Sequence, residues 1–329
     1  MDRSSEPFSQ VRDLAVTYRS ENGAAVRALD GVSLEIRSGE VIGILGESGC
    51  GKSTLARSFL GLLGPNARCE GTILIRGQDL LTLSGKELQA IRGRKISIIP
   101  QDPAVALNPV LTSGAQIGEV LRAHFPGPAR PRRAQVMDLL SDLGFDHRER
   151  VYSAYPHQLS GGQRQRIAIA QAVACRPDLL IADEPTSKLD RTLETEIIAL
   201  LSKIRRQHGT AILVIGHDPT LFAGFADRMA VMYAGRIVEV GSSSEIFRRP
   251  LHPYTQALLR IASSAVLSGS KARVRLPTIE GESFTPTSIG SGCRFVARCS
   301  DRMEVCTHRY PGEFLPEPAR PVNCFKYGE

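Results

Sequence analysis

Three short segments, in fixed order along a chain of 329 residues, carry residue types and spacings suited to phosphate chemistry. Gly46-Glu-Ser-Gly-Cys-Gly-Lys-Ser-Thr54 fits G-x-x-x-x-G-K-[ST], a loop whose backbone N–H groups wrap a nucleotide's phosphates. Leu179-Leu-Ile-Ala-Asp-Glu184 places a carboxylate pair at the end of an apolar run, where Mg²⁺ and an attacking water would sit. Between them, Leu159-Ser-Gly-Gly-Gln163 opens a helical pattern, and the free N–H groups and positive dipole end of a helix start suit a phosphate. Together the three imply binding and hydrolysis of ATP with Mg²⁺.

Phosphoryl transfer is mainly positioning and charge neutralisation, and each residue type has a part in it. Lys52 can reach the β- and γ-phosphates, and the Ser53 hydroxyl is placed to ligand Mg²⁺. Gly46, Gly49 and Gly51 let the backbone approach without a Cβ in the way, and Ser48, Cys50 and Thr54 complete the stretch facing the nucleotide. Cys50 falls at a variable position and reads as a small filler, not a nucleophile. Asp183 would hold Mg²⁺ through its second shell, and Glu184 would polarise the attacking water.

The elements that must position these groups follow from hydrophobic periodicity. Residues 11–18 and 32–37 alternate as half-buried strands, with a turn at 21–23. Residues 41–45 form a continuous apolar strand feeding the Gly-rich loop, and 54–63 have helical spacing. Further strands are predicted at 72–76, 95–99, 179–183, 211–215 and 228–233, with a helix at 190–207 and a hairpin over 233–240 turning at Ala234-Gly235. Residues 102–175 read as a mostly helical insert, interrupted by a loose Pro/Arg segment at 125–133. This alternation predicts an α/β fold with a largely parallel core sheet. The nucleotide domain is placed at 1–250. Residues 251–329 form an extension, in which a helix at 253–262 leads into a Ser/Gly linker at 263–270 and a Pro-rich, four-cysteine tail.

Bulk properties narrow the class. Hydrophobic content of 42% and charged content of 23% are ordinary for a soluble protein. Aromatics are 5% with no Trp, which argues against a base-stacking surface and a nucleic-acid partner. The net charge of +7 fits either a solvated Arg-rich surface or a basic face near an anionic membrane. No stretch approaches the roughly 20 apolar residues that span a bilayer, and the polar N-terminus has no signal-peptide core, so a cytoplasmic chain with reduced thiols is expected.

The phosphate loop, Leu159-Ser-Gly-Gly-Gln163 and Leu179 to Glu184 together resemble the ATP-binding-cassette (ABC) family, whose signature the second segment matches. The resemblance extends to Gln101 in Ile98-Ile-Pro-Gln-Asp-Pro103 (the Q-loop), His217 in Ile215-Gly-His-Asp218 (the switch histidine) and Ser187-Lys-Leu-Asp190 (the D-loop). It implies a P-loop ABC-type ATPase domain with a mostly parallel core sheet, an antiparallel β subdomain and a helical subdomain. It also implies a head-to-tail dimer, in which Ser160, Gly161, Gly162 and Gln163 act on the nucleotide held by the opposite subunit. His217 would contact the γ-phosphate, and Gln101 would link the metal to membrane subunits. Tyr18 is placed like the aromatic that stacks on adenine, or is simply a Tyr on a sheet edge. Two departures stand out: Lys188 replaces the small D-loop residue, and Gly216 stands where the family commonly has Thr. They imply unequal composite sites and a different ATPase chain as partner, with Gly216 loosening the backbone behind His217.

Arg249-Pro-Leu-His-Pro-Tyr-Thr-Gln-Ala-Leu-Leu259, Pro277-Thr-Ile-Glu-Gly281, Gly292-Cys-Arg-Phe-Val-Ala-Arg-Cys299 and Asp102-Pro-Ala-Val-Ala-Leu-Asn-Pro109 are similar to segments of the oligopeptide/dipeptide and nickel importer ATPases. That branch implies import of peptides or related small solutes through two transmembrane permease subunits. It also implies an extracytoplasmic solute-binding protein and a peripheral position on the cytoplasmic face of the inner membrane. The alternatives are a soluble cassette ATPase in DNA repair or translation and an ATP-gated regulatory subunit. Cys293, Cys299, Cys306 and Cys324 lack the close pairs of many zinc sites, and four thiols in a short tail suit an iron–sulfur cluster, Zn²⁺ or disulfides. The branch resemblance implies [4Fe–4S]. His308 reads as a surface residue, and Cys69 and Cys175 as small apolar fillers.

Overall fold

Every residue of Val41–Leu45 is buried, as for a strand covered on both faces, and the next residue is the first glycine of the phosphate loop. A computed structural model of the chain describes residues 7–19, 24–267, 278–281 and 290–328. The first part of the chain forms β1 (Ser9–Arg19), β2 (Ala25–Ile36), β3 (Val41–Leu45), α1 (Lys52–Phe59), β4 (Ala67–Ile75) and β5 (Gln78–Asp79). Then come α2 (Gly85–Ile91), β6 (Ile96–Ile99), α3 (Pro103–Ala106), α4 (Ser113–His124), α5 (Ala129–Asp142), α6 (Arg148–Ser153) and α7 (Gly161–Val173). β7 (Leu179–Asp183), α8 (Arg191–His208), β8 (Ala211–Gly216), β9 (Arg228–Tyr233) and β10 (Arg236–Ser242) follow. Last come α9 (Ser243–Arg248), α10 (Pro253–Leu267) and α11 (Val305–His308).

The chain divides into two units, one of residues 37–40 and 82–215, the other of 7–36, 41–81 and the chain from 216 onward. In the first, β6, β7 and β8 pair in parallel, with Ile96 opposite Leu179 and Leu179 opposite Ala211. Their residues are nearly all buried apolar. Helices α3 to α7 form the helical insert, and α8 starts at an Asp190 cap and stops at Gly209. In the second unit, β2-β1-β4-β5 form an antiparallel sheet. There, too, β3 pairs in parallel with β9, and β9 turns back antiparallel into β10. The result is the expected mixed α/β fold, with a parallel core and an antiparallel β subdomain.

Strands β2 and β4 start earlier than expected, at Ala25 and Ala67, and α1 ends earlier, at Phe59; three further differences have a local reason. Helix α1 begins at Lys52, capped by Gly51 at φ 109°, which an L side chain rarely adopts. The Pro/Arg segment is not loose throughout: α5 starts at Ala129 and carries Pro131 in its first turn, where the missing N–H would have had no helical partner. Helix α10 runs through Ser263 and Ser264 to Leu267, and both hydroxyls are satisfied within it, bonding back to the carbonyls of Leu259 and Arg260 at 2.9 and 2.8 Å. The 21–23 turn and the rest of the Ser/Gly linker lie outside the described residues. The hairpin turn falls where expected, with Ala234 at φ 49° and Gly235 at φ 83°.

The extension is joined to β10 by a buried ion pair. Glu239 and Arg320 are 0% and 1% exposed, their groups 3.1 Å apart. The Glu239 carboxylate also accepts the N–H groups of Leu251 and His252 at 2.8 and 2.9 Å, fixing the entry to α10. Burial holds His252 neutral, its pKa pushed down to about 3, and its Nδ1 accepts the Tyr254 N–H at 3.0 Å. Removing Glu239 would leave the buried Arg320 only its second ion pair, with Glu317 at 2.8 Å, and would leave the N–H groups of Leu251 and His252 without their acceptor. Glu239→Ala is therefore expected to destabilise the chain by about 3–5 kcal/mol in urea unfolding. A loss within the ~1 kcal/mol of an exposed pair would contradict the burial.

Candidate functional site

The phosphate loop is shaped by crowding. A Cβ on Gly46 would lie 2.3 Å from the Met232 carbonyl oxygen, so only glycine fits beneath β9. Inside the loop the Lys52 ammonium, 5% exposed, donates to the carbonyls of Gly46 and Glu47 at 2.7 and 2.8 Å. It thus holds the loop in shape from within. Cys50 is buried beside it, and burial pushes its thiol up despite the opposing pull of Lys52. A protonated, enclosed thiol agrees with a filler role. Ser48, Gly49, Ser53 and Thr54 lie on the loop and the first turn of α1, which carries no acidic side chain to repel a phosphate.

In the other unit, Asp183 ends β7 with 7% exposure, and Glu184 follows at φ 47°, a left-handed backbone. Such a conformation costs on the order of 1–3 kcal/mol in a non-glycine residue and concentrates at functional positions. The Glu184 N–H bonds to the Ile215 carbonyl at 3.0 Å. Gln101, 83 residues earlier, donates from Nε2 to the Glu184 carboxylate at 2.8 Å. The two residues singled out for water activation and metal contact are therefore brought together. Next to Gln101, Asp102 forms an ion pair with Lys188, so the unusual D-loop lysine has its counterion within its own chain. That pair, with the bonded lysine, keeps the Asp102 carboxyl below the usual carboxylate range.

Ser160 and Gln163 form a capping box at the start of α7: the Ser160 oxygen accepts the Gln163 N–H at 3.2 Å, and Gln163 Oε1 accepts the Ser160 N–H at 3.0 Å. The Gln163 side chain is thus occupied in shaping the turn. Gly161 and Gly162 present first-turn N–H groups, which have no partner within a helix. This helix start borders an open depression of about 590 Å³, lined also by His147, Arg150 and Arg166.

Back in the unit of the phosphate loop, His217 is exposed directly after β8, and Tyr18 is half-buried on β1 opposite Val26 and Ala67. Gly216 has a different role from the loosening expected. It is buried at a strand end, and a Cβ there would lie 2.8 Å from Leu221 and 3.2 Å from Phe222. Missing side-chain volume, not backbone freedom, explains the residue.

The four tail cysteines line one apolar pocket with His252 and Phe295, and none is in a disulfide. Burial pushes the Cys293 thiol up to about 11, and Cys306, Cys324 and Cys299 push it the same way, so the four sense one another. Among the described residues no three His, Cys, Asp or Glu side chains are grouped to hold a metal ion, so the metal expectation gains no support from this geometry. Cys175 is buried and Cys69 half-buried, as expected of fillers; His308 is exposed.

Sequence reasoning missed three residues around the loop. The Tyr254 hydroxyl accepts the Glu47 N–H at 2.9 Å, and Arg298 grips the Glu47 carboxylate through two hydrogen bonds, at 2.8 and 3.0 Å. Tyr254 sits in the His-Pro-Tyr segment already marked as unusual. Arg298 and Glu47 also lie in segments already marked, Gly292 to Cys299 and the phosphate loop, but nothing local signals that they pair.

The sequence pattern of the ABC transporter family matches residues 29–187, and that of the oligopeptide/dipeptide transporter C-terminal region matches 238–306. The dipeptide transport ATP-binding protein DppD of Bacillus subtilis is 43% identical over 325 residues, covering 97% of this chain and 95% of that protein. The oligopeptide transport ATP-binding protein OppD of Salmonella typhimurium is 38% identical over 317 residues, covering 96% and 93%. Among solved structures, the dimeric post-hydrolysis state of the ATP-binding cassette MJ0796 with ADP and Pi superposes with a TM-score of 0.64 at 31% identity, over 71% of this chain and 98% of that one. CbiO1 of Clostridium perfringens, part of the cbiONQ transporter complex, gives 0.63 at 29% identity, over 80% and 100%. The repair or translation reading and the regulatory one gain nothing from these relatives. This chain belongs to the ABC transporter ATP-binding proteins, in the oligopeptide/dipeptide transporter family.

Proposed function

We propose that this ABC ATPase subunit powers import of peptides or chemically related small solutes. The carrying observation is the joint match of the cassette and the oligopeptide/dipeptide C-terminal region in one chain. Residues 1–250 would serve as the nucleotide domain and 251–329 as its extension. Among the described residues no helix is long and apolar enough to cross a membrane, so the route for solute would come from two permease subunits, fed by an extracytoplasmic binding protein. The chain would then sit peripherally on the cytoplasmic face of the membrane.

In this reading, ATP is clasped between two cassettes arranged head to tail; that the MJ0796 cassette is solved as a dimer with ADP and Pi supports a paired state. Lys52 would leave the carbonyls of Gly46 and Glu47 for the β- and γ-phosphates, and the loop N–H groups from Gly46 to Thr54 would take the remaining oxygens. Ser53 would ligand Mg²⁺ directly, with Asp183 behind it. Glu184, released from Gln101, would accept the hydrogen bond of the attacking water, while His217 steadies the γ-phosphate. Ser160, Gly161 and Gly162 would close on the partner's nucleotide, and Tyr18 would lie under adenine. A partner of different sequence is read from the departures at Lys188 and Gly216 alone, because Lys188 already has its counterion, Asp102, within its own chain.

The four-cysteine pocket is read as the site of a [4Fe–4S] cluster. Such a cluster binds one thiolate at each corner iron, so its ligands need not converge on a single point. It would cross-link the extension.

Two experiments test these roles. Glu184→Gln is expected to bind MgATP and lose at least about 100-fold in turnover, measured as phosphate release. Normal turnover would remove Glu184 from its role. Anaerobically purified chain should be brown, with on the order of four iron and four sulfide per chain. A colourless protein with one zinc would reject the cluster. A third concerns partners: solubilised membranes should yield two polytopic proteins bound to this chain, and recovery of ribosomes or DNA instead would overturn the transport reading.

A further inference from the structure

Glu47 is the first variable residue of the phosphate loop, and all three of its polar groups are held. Its carbonyl accepts Lys52, its N–H donates to Tyr254, and its carboxylate takes the two-point grip of Arg298. Tyr254 and Arg298 lie 207 and 251 residues further along the chain, both in the C-terminal extension. Neither contact is a loose surface encounter. Tyr254 is fully buried, and the Arg298 side chain is 6% exposed, with its guanidinium over the Tyr233 ring.

The segment carrying Arg298 is itself fastened. Phe295 meets Tyr233 and Tyr254 edge-on, at ring separations of 5.2 and 5.4 Å. Arg294 bonds the Ala234 carbonyl at the hairpin turn and the buried Asp30 carboxylate, which Arg236 and Arg27 also hold. Residues 294–298 therefore form a short brace between the β9–β10 hairpin and the phosphate loop.

The charge at this place has a physical consequence. Glu47 brings a carboxylate into a loop built to receive a triphosphate, and an uncompensated carboxylate there repels the nucleotide. Arg298 cancels that charge and fixes its direction. When Lys52 turns to the phosphates, the loop loses its internal tie, and Tyr254 with Arg298 become the ties that remain. We propose that Arg298 and Tyr254 are positioning residues of the nucleotide site: the extension neutralises Glu47 and braces the phosphate loop, and so sets the affinity for MgATP. This rests on residues 46–54 being the phosphate site.

The test is MgATP binding and turnover by the full chain, with Arg298→Ala, Arg298→Lys, Tyr254→Phe, Glu47→Gln and the pair Arg298→Ala with Glu47→Gln. Arg298→Ala should raise Kd and KM for ATP about tenfold, more at low salt than at high, with kcat at saturating ATP retained. Arg298→Lys should recover part of that loss, and Tyr254→Phe should weaken binding without the added salt dependence. Adding Glu47→Gln to Arg298→Ala should recover much of that affinity, because the repelling charge is gone. A merely structural arginine would show no such restoration. Parent-like affinity in Arg298→Ala, or failure of Glu47→Gln to restore it, overturns the proposal. Should Arg298→Ala not fold, parent-like affinity for MgATP in both Arg298→Lys and Tyr254→Phe overturns it equally. Lys52→Ala separates the two readings: if it binds MgATP normally, the phosphate site has been misplaced. If it loses binding while Arg298→Ala keeps it, the brace alone fails.

Discussion

An ammonium group buried inside a loop of backbone is the interaction on which the proposed nucleotide site turns. Lys52 has no carboxylate partner in the hydrogen bonds that hold it; carbonyls from Gly46 and Glu47 receive it instead. Partial charges satisfy a cation well enough to bury it, yet yield to a phosphate when one arrives. The surrounding residues make that exchange feasible. Gly46 clears the Met232 carbonyl, Gly51 turns the chain into α1, and β3 fixes where the loop starts. Charged groups nearby are paired elsewhere, with Glu47 given to Arg298.

The carboxylate side is built on a different principle, strain in place of enclosure. Glu184 accepts a left-handed backbone at the end of a fully buried strand, and its side chain is parked on Gln101. One residue on, Asp102 is parked on Lys188. Two adjacent residues of one loop thus hold two residues of the segment after β7, one through a neutral amide and one through an ion pair. Movement of 101–102 would have to break both contacts.

Much of this was legible in the sequence where the cause is local. The turn at Ala234-Gly235, the apolar run before the phosphate loop and the helix start at Ser160 to Gln163 all depend on neighbours within a few residues, and each stands where the pattern put it. Local rules also explain the misreadings: Pro131 looked like a breaker but sits in a first turn, and Ser263 and Ser264 looked like linker but bond to their own helix. Gly216 was misread because its reason, the Phe222 and Leu221 side chains, lies in packing and not in the backbone. Arg294 and Arg298 lie in a segment the sequence singled out, yet nothing in it points to their partners. Arg298 acquires its meaning only when a residue 251 positions away arrives beside it. Long-range charge pairing leaves no periodic trace.

The Glu239–Arg320 pair also constrains how a gene for such a chain can be shortened. A stop codon between residues 251 and 320 would not release a self-sufficient minimal cassette. It would strand an anion in the interior of β10, beneath the ends of the chain it used to organise. Loss of the extension in any descendant lineage is therefore expected to follow, and not precede, replacement of Glu239 by a neutral residue.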